Sequence, residues 1–413
     1  MRRMIFSVMI VCMIVSTCRM QASTRSVRKN LSPKEAFDGK RLKHIDDLME
    51  QAVERQLLPS AICYVAYKGK PVYFKAFGEA DREVGKKLRK DAIFRMASQT
   101  KLVTTVALLS LYEDGLFKLD DPIKNYLPEF SNPVVHVSGN IAENSLVTRP
   151  AVGDITIRQL LSHSSGLSYD VYDQNLQGIR YPEQMTLKEA VKRIAKLPLK
   201  HDPGKGFTYG FNLDVAGRLA EVISGMRLDS LIAKRVLKPL DMKDTYFYLP
   251  LKKIDRLVPI YQKPEPDAPV KLAADSVDRF YPLAQNQLYY GGGAGLSGTI
   301  EDYAHLCQMV LDGGVYHRNR VLSRMTVEQM CTDQLFGAKG DYKFGLGLEI
   351  GTEEDFAREM RPTGSLGWRG YYGTQYLIDP ENELIILFYT NKVSWYNNDV
   401  WGDFMRAVYM SLK

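Results

Sequence analysis

The runs with strand character sit at the two ends of this chain, and the long middle is helical in pattern. Near the start, "AICYVAYKGKPVYFKAFGEAD" (61–81) holds two β-branched and aromatic runs around Lys68-Gly69-Lys70-Pro71, the pattern of a β-hairpin. An apolar stripe at helical spacing precedes it, from Gly39 to Leu57. At the far end, "KFGLGLEIG", "GYYGTQYLIDP" and "ELIILFYTN" regain strand character before a last helical stretch, "VWGDFMRAVYMSL". Between the ends lie helical patterns such as "ITIRQLLSHSSGL", "TLKEAVKRIAKL", "LDVAGRLAEVISG", "RLDSLIAKRVL" and "DYAHLCQMVLDGG". Strands so far apart in sequence form one sheet only if both termini contribute to it. An α/β fold is therefore expected, with residues 36–93 and 341–413 in one lobe and 94–340 in a mainly helical second lobe. The cleft between the lobes is the natural place for chemistry.

The first residues stand outside that plan. In "MRRMIFSVMIVCMIVSTCRMQAS", Arg2 and Arg3 precede an apolar run, Met4 to Val15, too short to span a bilayer. Residues 1–22 read as an export signal and 23–35 as a linker, so the protein is expected to be periplasmic or secreted. Met20-Gln21-Ala22 offers a small-residue cleavage site. Val15-Ser16-Thr17-Cys18 resembles a lipoprotein box, with lipid attached at Cys18. Both readings stay open. No later segment has the roughly 18 uninterrupted apolar residues of a membrane span.

Composition excludes little else. The net charge of +7 is spread thinly, with no basic stripe and no interleaved aromatics, so no nucleic-acid partner is expected. Of five cysteines, Cys12 and Cys18 lie in the leading segment; Cys63, Cys307 and Cys331 are widely spaced and read as buried free thiols. The six histidines are scattered, with no H-E-x-x-H, and His163 reads as a structural residue of its turn. Neither a metal nor a cofactor is expected.

The candidate chemistry begins in "FRMASQTKLVTTVALLSLYEDGLFKLDDP", where Ser98 and Lys101 stand three apart at the head of an apolar helix pattern. One helical turn puts both side chains on one face. A lysine amine held beside a serine hydroxyl can activate it, and backbone N–H groups at a helix start can hold a developing oxyanion. Spacing alone equally fits a serine cap with an outward lysine. A second S-x-x-K, Ser26 to Lys29, lies in a polar stretch with no such helix. Tyr209, after the Pro203-Gly204 turn, is a candidate base or a packed aromatic. Gly367, Gly370 and Gly373 interrupt a strand pattern, which marks either a close backbone approach or a bend. Gly293-Ala294-Gly295-Leu296-Ser297-Gly298 matches G-x-G-x-x-G but follows no strand of a βαβ unit, so a dinucleotide site is not expected.

Taken in order, "FRMASQTKLVTTVA", "GLFKLDDPIKNYLPEF", "ITIRQLLSHSSGL", "FTYGFNLDVAGRLAE", "GGGAGLSGTIEDYAHLCQMVLDGG" and "GWRGYYGTQYLIDPE" resemble the serine β-lactamase-related family. That family takes in class C β-lactamases, penicillin-binding proteins and D-Ala-D-Ala carboxypeptidases. The likeness runs from about Leu42 to the C-terminus, which makes 36–413 a single catalytic domain of β-lactamase-like fold, an antiparallel sheet flanked by helices plus the helical lobe. It implies Ser98 as nucleophile, Lys101 and Tyr209 sharing its proton, and an oxyanion hole from the backbone N–H groups of Ser98 and Tyr371. Trp368, Arg369, Gly370 and Asn212 become substrate-contact candidates. The family's Tyr-x-Asn reads here Tyr209-Gly210-Phe211, with Asn212 one place late. Its Lys-Thr-Gly reads Trp368-Arg369-Gly370, which is similar to the carboxylesterase and acyltransferase branch. An esterase or acyltransferase acting on a small-molecule ester or acyl donor, with a bulky amphipathic acceptor, is therefore expected. "YYGGG" and "WRGYY" are expected to supply aromatic walls for that acceptor. A cell-wall carboxypeptidase or weak β-lactamase is the alternative, and an inactive binding homologue the second alternative.

Overall fold

A computed structural model describes residues 31–33, 35–139, 145–169, 185–262, 269–273, 282–283, 288–393 and 400–413. The export-signal residues, Cys18 and the Ser26–Lys29 pair lie outside the described residues.

One eight-stranded antiparallel sheet takes strands from both ends of the chain. Its strands are β1 (Ser60–Tyr67), β2 (Lys70–Asp81), β3 (Lys86–Lys87), β4 (Lys343–Phe344), β5 (Glu349–Ile350), β6 (Leu366–Arg369), β7 (Thr374–Asp379) and β8 (Leu384–Thr390). They lie in the order β4-β5-β6-β7-β8-β1-β2-β3, so β1 pairs with β8 and the two termini meet at mid-sheet. Alternation explains why β1 is apolar at nearly every position. Ile62, Tyr64 and Ala66 face the larger core, while Ala61, Cys63, Val65 and Tyr67 face a smaller one. Strand β8 divides the same way, Ile385, Leu387 and Tyr389 against Leu384, Ile386 and Phe388.

Two terminal helices cover the smaller core: α1 (Gly39–Glu54) and a C-terminal helix, Val400–Ser411, which carries Phe404, Met405 and Val408. Helix α1 buries only Ile45, Met49 and Ala52, one stripe of a surface helix. It stops short of the expected Leu57 because Gln56 turns into the left-handed region, φ 54°. On the other face lies α2 (Thr100–Glu113), in which every residue from Thr100 to Leu111 is buried. A helix buried on all sides is a central one. Helix α3 (Asn212–Ser224) packs beside it and ends on Gly225, φ 67°, a left-handed glycine cap.

The "KFGLGLEIG" run is two two-residue strands, β4 and β5, rather than one strand. Gly347, φ 79°, breaks it where the backbone passes Thr105 of α2, whose Oγ1 would lie 2.3 Å from any added Cβ. A seven-residue helix, Glu353–Glu359, started by a Thr352/Asp355 capping box, follows β5 and was not visible as an apolar pattern because it buries nothing.

Candidate active site

The residue before the expected nucleophile is backbone-strained. Ala97 is buried and takes φ 45°, a left-handed conformation uncommon for a residue with a Cβ. It persists because Ile260 and Tyr372 pack around it, and because Met96 N–H donates to Leu296 O at 2.9 Å. The chain then enters a single 3₁₀ turn, Ala97–Gln99, which carries half-buried Ser98 directly onto the start of α2.

Lys101, in the first turn of α2, is only 1% exposed. Its Nζ donates to Gly293 O at 2.7 Å, to Tyr169 Oη at 3.2 Å and to Ser98 Oγ at 3.3 Å. All three are neutral acceptors; among the described residues no carboxylate bonds to this ammonium. The outward, snorkelling lysine is thus ruled out by geometry.

The glycine-rich stretch has a mechanical part in this. Leu296 N–H donates to Thr100 Oγ1 at 3.0 Å, and Thr104 Oγ1 donates to Gly292 O at 2.9 Å, so the loop is bonded to the first turns of α2 on both sides of Lys101. A Cβ on Gly292 would lie 2.3 Å from Leu213 O, and one on Gly293 2.4 Å from Asp214 Oδ2. Glycine is needed there because the loop is wedged against α3. Asp214 accepts from Gly293 N–H at 3.2 Å and from Tyr289 Oη–H at 3.0 Å. Burial pushes its carboxyl above the usual range, and the nearby Lys101 charge opposes that.

Tyr209 is half-buried against the same ammonium, with Lys101 Nζ 4.6 Å from its ring centroid. Its Oη accepts a 3.2 Å bond from Trp368 Nε1–H, across the cleft on β6. Tyr169 stands edge-on to Tyr209, centroids 5.5 Å apart. Tyr169 and Asp214 are the residues that sequence reasoning missed, and Gly293, whose stretch was considered there only as a dinucleotide motif and set aside, supplies a carbonyl directly to Lys101. The motif stretches "HSSGLSYD" and "FNLDVAG" contain the two side chains, but no spacing joins either to Lys101.

Asn212 requires a correction. It is fully buried, its Nδ2 donating to His163 Nδ1 at 2.9 Å and to Leu167 O at 3.2 Å, while its Oδ1 accepts from Ser165 Oγ. As the first residue of α3 it turns back into the core, so it holds the turn behind Tyr209 rather than a substrate. His163, φ 56°, takes the structural place foreseen for it; burial, and then the Lys101 charge, keep its imidazole far below its ordinary value and neutral.

Gly370 sits where a Cβ would be 2.3 Å from Met96 O and 2.2 Å from Thr374 Oγ1, while Thr374 Oγ1 itself donates to Met96 O at 3.2 Å. The close approach signalled by this glycine is to the turn that carries Ser98. It sets the β6–β7 turn, with Tyr371 in it, directly against the Ser98 segment. Trp368 faces the larger core and Tyr209; Arg369 is exposed and alternates to the other face, beside Gln375. Of the "YYGGG" tyrosines, Tyr289 is buried on Asp214 and Tyr290 packs on Phe247 and Tyr248, so this pair does not wall the Ser98–Lys101 cluster. A cavity of about 440 Å³, lined by Arg158, Gln159, Lys205 and Phe336 among others, lies apart from Ser98 and Lys101.

A family model described as Beta-lactamase matches residues 45–407. The chain belongs to the beta-lactamase family. Protein Rv1367c of Mycobacterium tuberculosis is 31% identical over 359 residues, covering 82% of this chain and 87% of that protein. Esterase EstB of Burkholderia gladioli is 29% identical over 373 residues, covering 84% and 89%. The solved structure of simvastatin synthase (LovD) from Aspergillus terreus superimposes with a TM-score of 0.74 at 26% identity, over 89% of this chain and 98% of that one. The beta-lactamase-like fold expected from the ordered motifs is the fold observed. The protein is an enzyme of the serine hydrolase and acyltransferase kind within this family.

Proposed function

We propose that the protein is a serine esterase or acyltransferase working through an acyl-enzyme on Ser98. The observation that carries this is the buried Lys101 ammonium, 3.3 Å from Ser98 Oγ and ringed by neutral acceptors. As Oγ bonds to the ester carbonyl carbon, its proton passes to the Tyr209–Lys101 couple. The oxyanion is held by the N–H groups of Ser98 and Tyr371. Collapse breaks the carbon–oxygen bond, and the same proton goes to the leaving alcohol. Water or a second alcohol then enters by the reverse steps. Trp368 replaces the family's lysine at the third motif, so an apolar aromatic wall meets the acyl acceptor. Esterase EstB and the methylbutanoyltransferase of Penicillium citrinum, 29% identical over 401 residues, support this branch by name.

The test is intact-protein mass spectrometry after p-nitrophenyl butyrate, with and without a bulky alcohol. One butyryl adduct on the wild type, absent in Ser98→Ala and discharged faster by the alcohol, supports an acyltransferase. Discharge indifferent to the alcohol supports an esterase. Stable labelling by a fluorescent penicillin without ester turnover would overturn both in favour of a cell-wall carboxypeptidase. The place of action is proposed to be outside the cytoplasm, on the strength of Arg2, Arg3 and the apolar run behind them; the mass of the exported protein tests it, loss of residues up to Ala22 or lipid on Cys18 being the alternatives.

A further inference from the structure

Phe336 breaks two local rules at once. It is 76% exposed, more than any other large apolar side chain among the described residues. It also stands at φ 48° and is followed by Gly337 at φ 83°, in a turn closed by Ala338 N–H on Leu335 O at 2.9 Å. Positive φ at both central places is the type I′ pattern, in which asparagine, aspartate or glycine is the usual first residue. A phenyl ring gains nothing there from folding, since its backbone is strained and its surface is wet. The base of the turn is nonetheless fixed. Gln334 N–H donates to Phe344 O at 2.8 Å, its side-chain amide donates to Gln329 O at 2.9 Å, and Leu335 is buried beside it. A strained, exposed aromatic on a rigid base points to a ligand.

The ring lines the cavity of about 440 Å³ that lies apart from Ser98, a volume within the range of small-molecule sites. The polar groups of that cavity are only partly used. Arg158 commits Nε and Nη2 to the Asp120 carboxylate, both at 2.7 Å, and Nη1 to Gln334 Oε1 at 2.6 Å. A guanidinium has further N–H groups beyond these, and the exposed Asp120 oxygens keep lone pairs. Gln159 is divided: its Oε1 accepts Thr156 N–H at 2.9 Å, while its Nε2 bonds to nothing among the described residues. A Cβ on residue 204 would lie 2.9 Å from that Nε2, so Gly204, φ 79°, leaves the amide its room.

Unused donors and acceptors therefore share one bowl with an aromatic face. The Arg158–Asp120 pair is neutral as a unit, and Lys205 is exposed at the edge, where solvent screens its charge. Such a bowl favours a neutral molecule with closely spaced groups that both donate and accept, and with one apolar face. A sugar ring has both, its hydroxyls around the rim and its C–H bonds on a face that packs on an aromatic ring. We infer that the cavity is a saccharide-binding site separate from the Ser98 cluster. Phe336 covers the sugar face, and Asp120, Arg158 and the Gln159 amide bond its hydroxyls.

The test is saturation-transfer NMR on the full chain with maltose, cellobiose and N,N′-diacetylchitobiose, followed by calorimetry on the tightest. At least one is expected to bind with a Kd of about 1 mM or below. Phe336→Asn places a residue suited to the turn, so Tm should hold or rise while affinity falls about ten-fold with the lost ring. Gln159→Glu keeps the oxygen that caps Thr156 and removes the free donors; affinity should fall about five-fold or more. Hydrolysis of p-nitrophenyl butyrate should be unchanged in both variants. No transfer to any of the three sugars at about 10 mM, where a site with such a Kd is mostly filled, overturns the inference. So does sugar binding that survives both substitutions at wild-type strength. Neither outcome touches the nucleophile assignment, because no readout of binding here depends on Ser98.

Discussion

The two walls of the cleft are built on opposite principles. On the helical wall, Lys101 and Asp214 are 1% and 4% exposed, and their polar atoms meet partners contributed by the glycine loop, Tyr169 and Tyr289. On the strand wall, Trp368 is half-buried, Arg369 is exposed, and Tyr371 is 37% exposed with its ring edge-on to Tyr372. A buried ammonium is stable only where its donors are satisfied, so the helical wall has to be fixed in advance. The strand wall carries no such obligation and is free to vary in what it recognises. On the proposed reading of Ser98 as nucleophile, proton transfer is assigned to the helical wall, and selection among substrates to the strands and the turns that follow them.

The largest expected effect lies on the helical wall. Ser98→Ala should lower kcat for p-nitrophenyl butyrate by about 10⁴-fold or more, with the far-ultraviolet spectrum and Tm retained. The other S-x-x-K serine gives the contrast: Ser26→Ala should leave kcat as it was. A residual rate within ten-fold of the wild type in Ser98→Ala would remove the nucleophile assignment and the division of labour with it.

The next effect separates two tyrosines. Both rings approach Lys101, its Nζ 4.6 Å from the Tyr209 centroid and 5.4 Å from that of Tyr169, and Tyr209 Oη also accepts the Trp368 N–H. Tyr169 Oη is an acceptor of the Lys101 bond. Tyr209→Phe is expected to lower kcat by roughly 10²–10⁴-fold, the range for loss of a general base, and Tyr169→Phe by about ten-fold. Groups that share one proton act as a unit, so Lys101→Ala with Tyr209→Phe should be little worse than the worse single change. A Tyr169→Phe loss exceeding that of Tyr209→Phe would reverse the assignment.

How much of this was readable without coordinates follows the same divide between local and distant. Ser98 and Lys101 were legible because one helical turn joins them, and the sheet was legible because alternating apolar residues in β1 and β8 need two covered faces. Tyr169 and Gly293 were not: Lys101 reaches them across 68 and 192 residues of sequence, and only tertiary packing brings them together. Asn212 misled for a local reason. Matching it to a family asparagine one place away ignored the roughly 100° that each residue turns about a helix, and that rotation sends it to His163 instead of the cleft.

A substitution at the seam between the walls should come third. In Gly370→Ala the new Cβ would meet Met96 O at 2.3 Å, and that atom is backbone, so the β6–β7 turn must move away from Ser98. Loss of about 10²-fold in kcat with little change in KM is the expected result, since a displacement near 1 Å at a reacting centre costs that much. Unchanged kcat in a folded Gly370→Ala protein would mean that the Tyr371 turn takes no part in holding the oxyanion.

The smallest effect tests whether the strand wall reaches the chemistry at all. Trp368 Nε1–H on Tyr209 Oη, at 3.2 Å, is a direct bond between the strand wall and a candidate proton carrier. Trp368→Phe removes the donor and keeps an aromatic ring against Phe344, now 5.3 Å away in an edge-to-face contact. A hydrogen bond of this kind contributes about 0.5–1.5 kcal/mol, so kcat should fall by roughly two- to ten-fold. Lost packing would produce a similar number, so the size of the effect decides nothing by itself. The double-mutant cycle does. If the bond is the cause, Trp368→Phe should have almost no effect on kcat once Tyr209 is already Phe, giving a coupling of about 1 kcal/mol. Equal losses in both backgrounds would show that Trp368 acts only as a wall, and the strand side would then be confined to recognition.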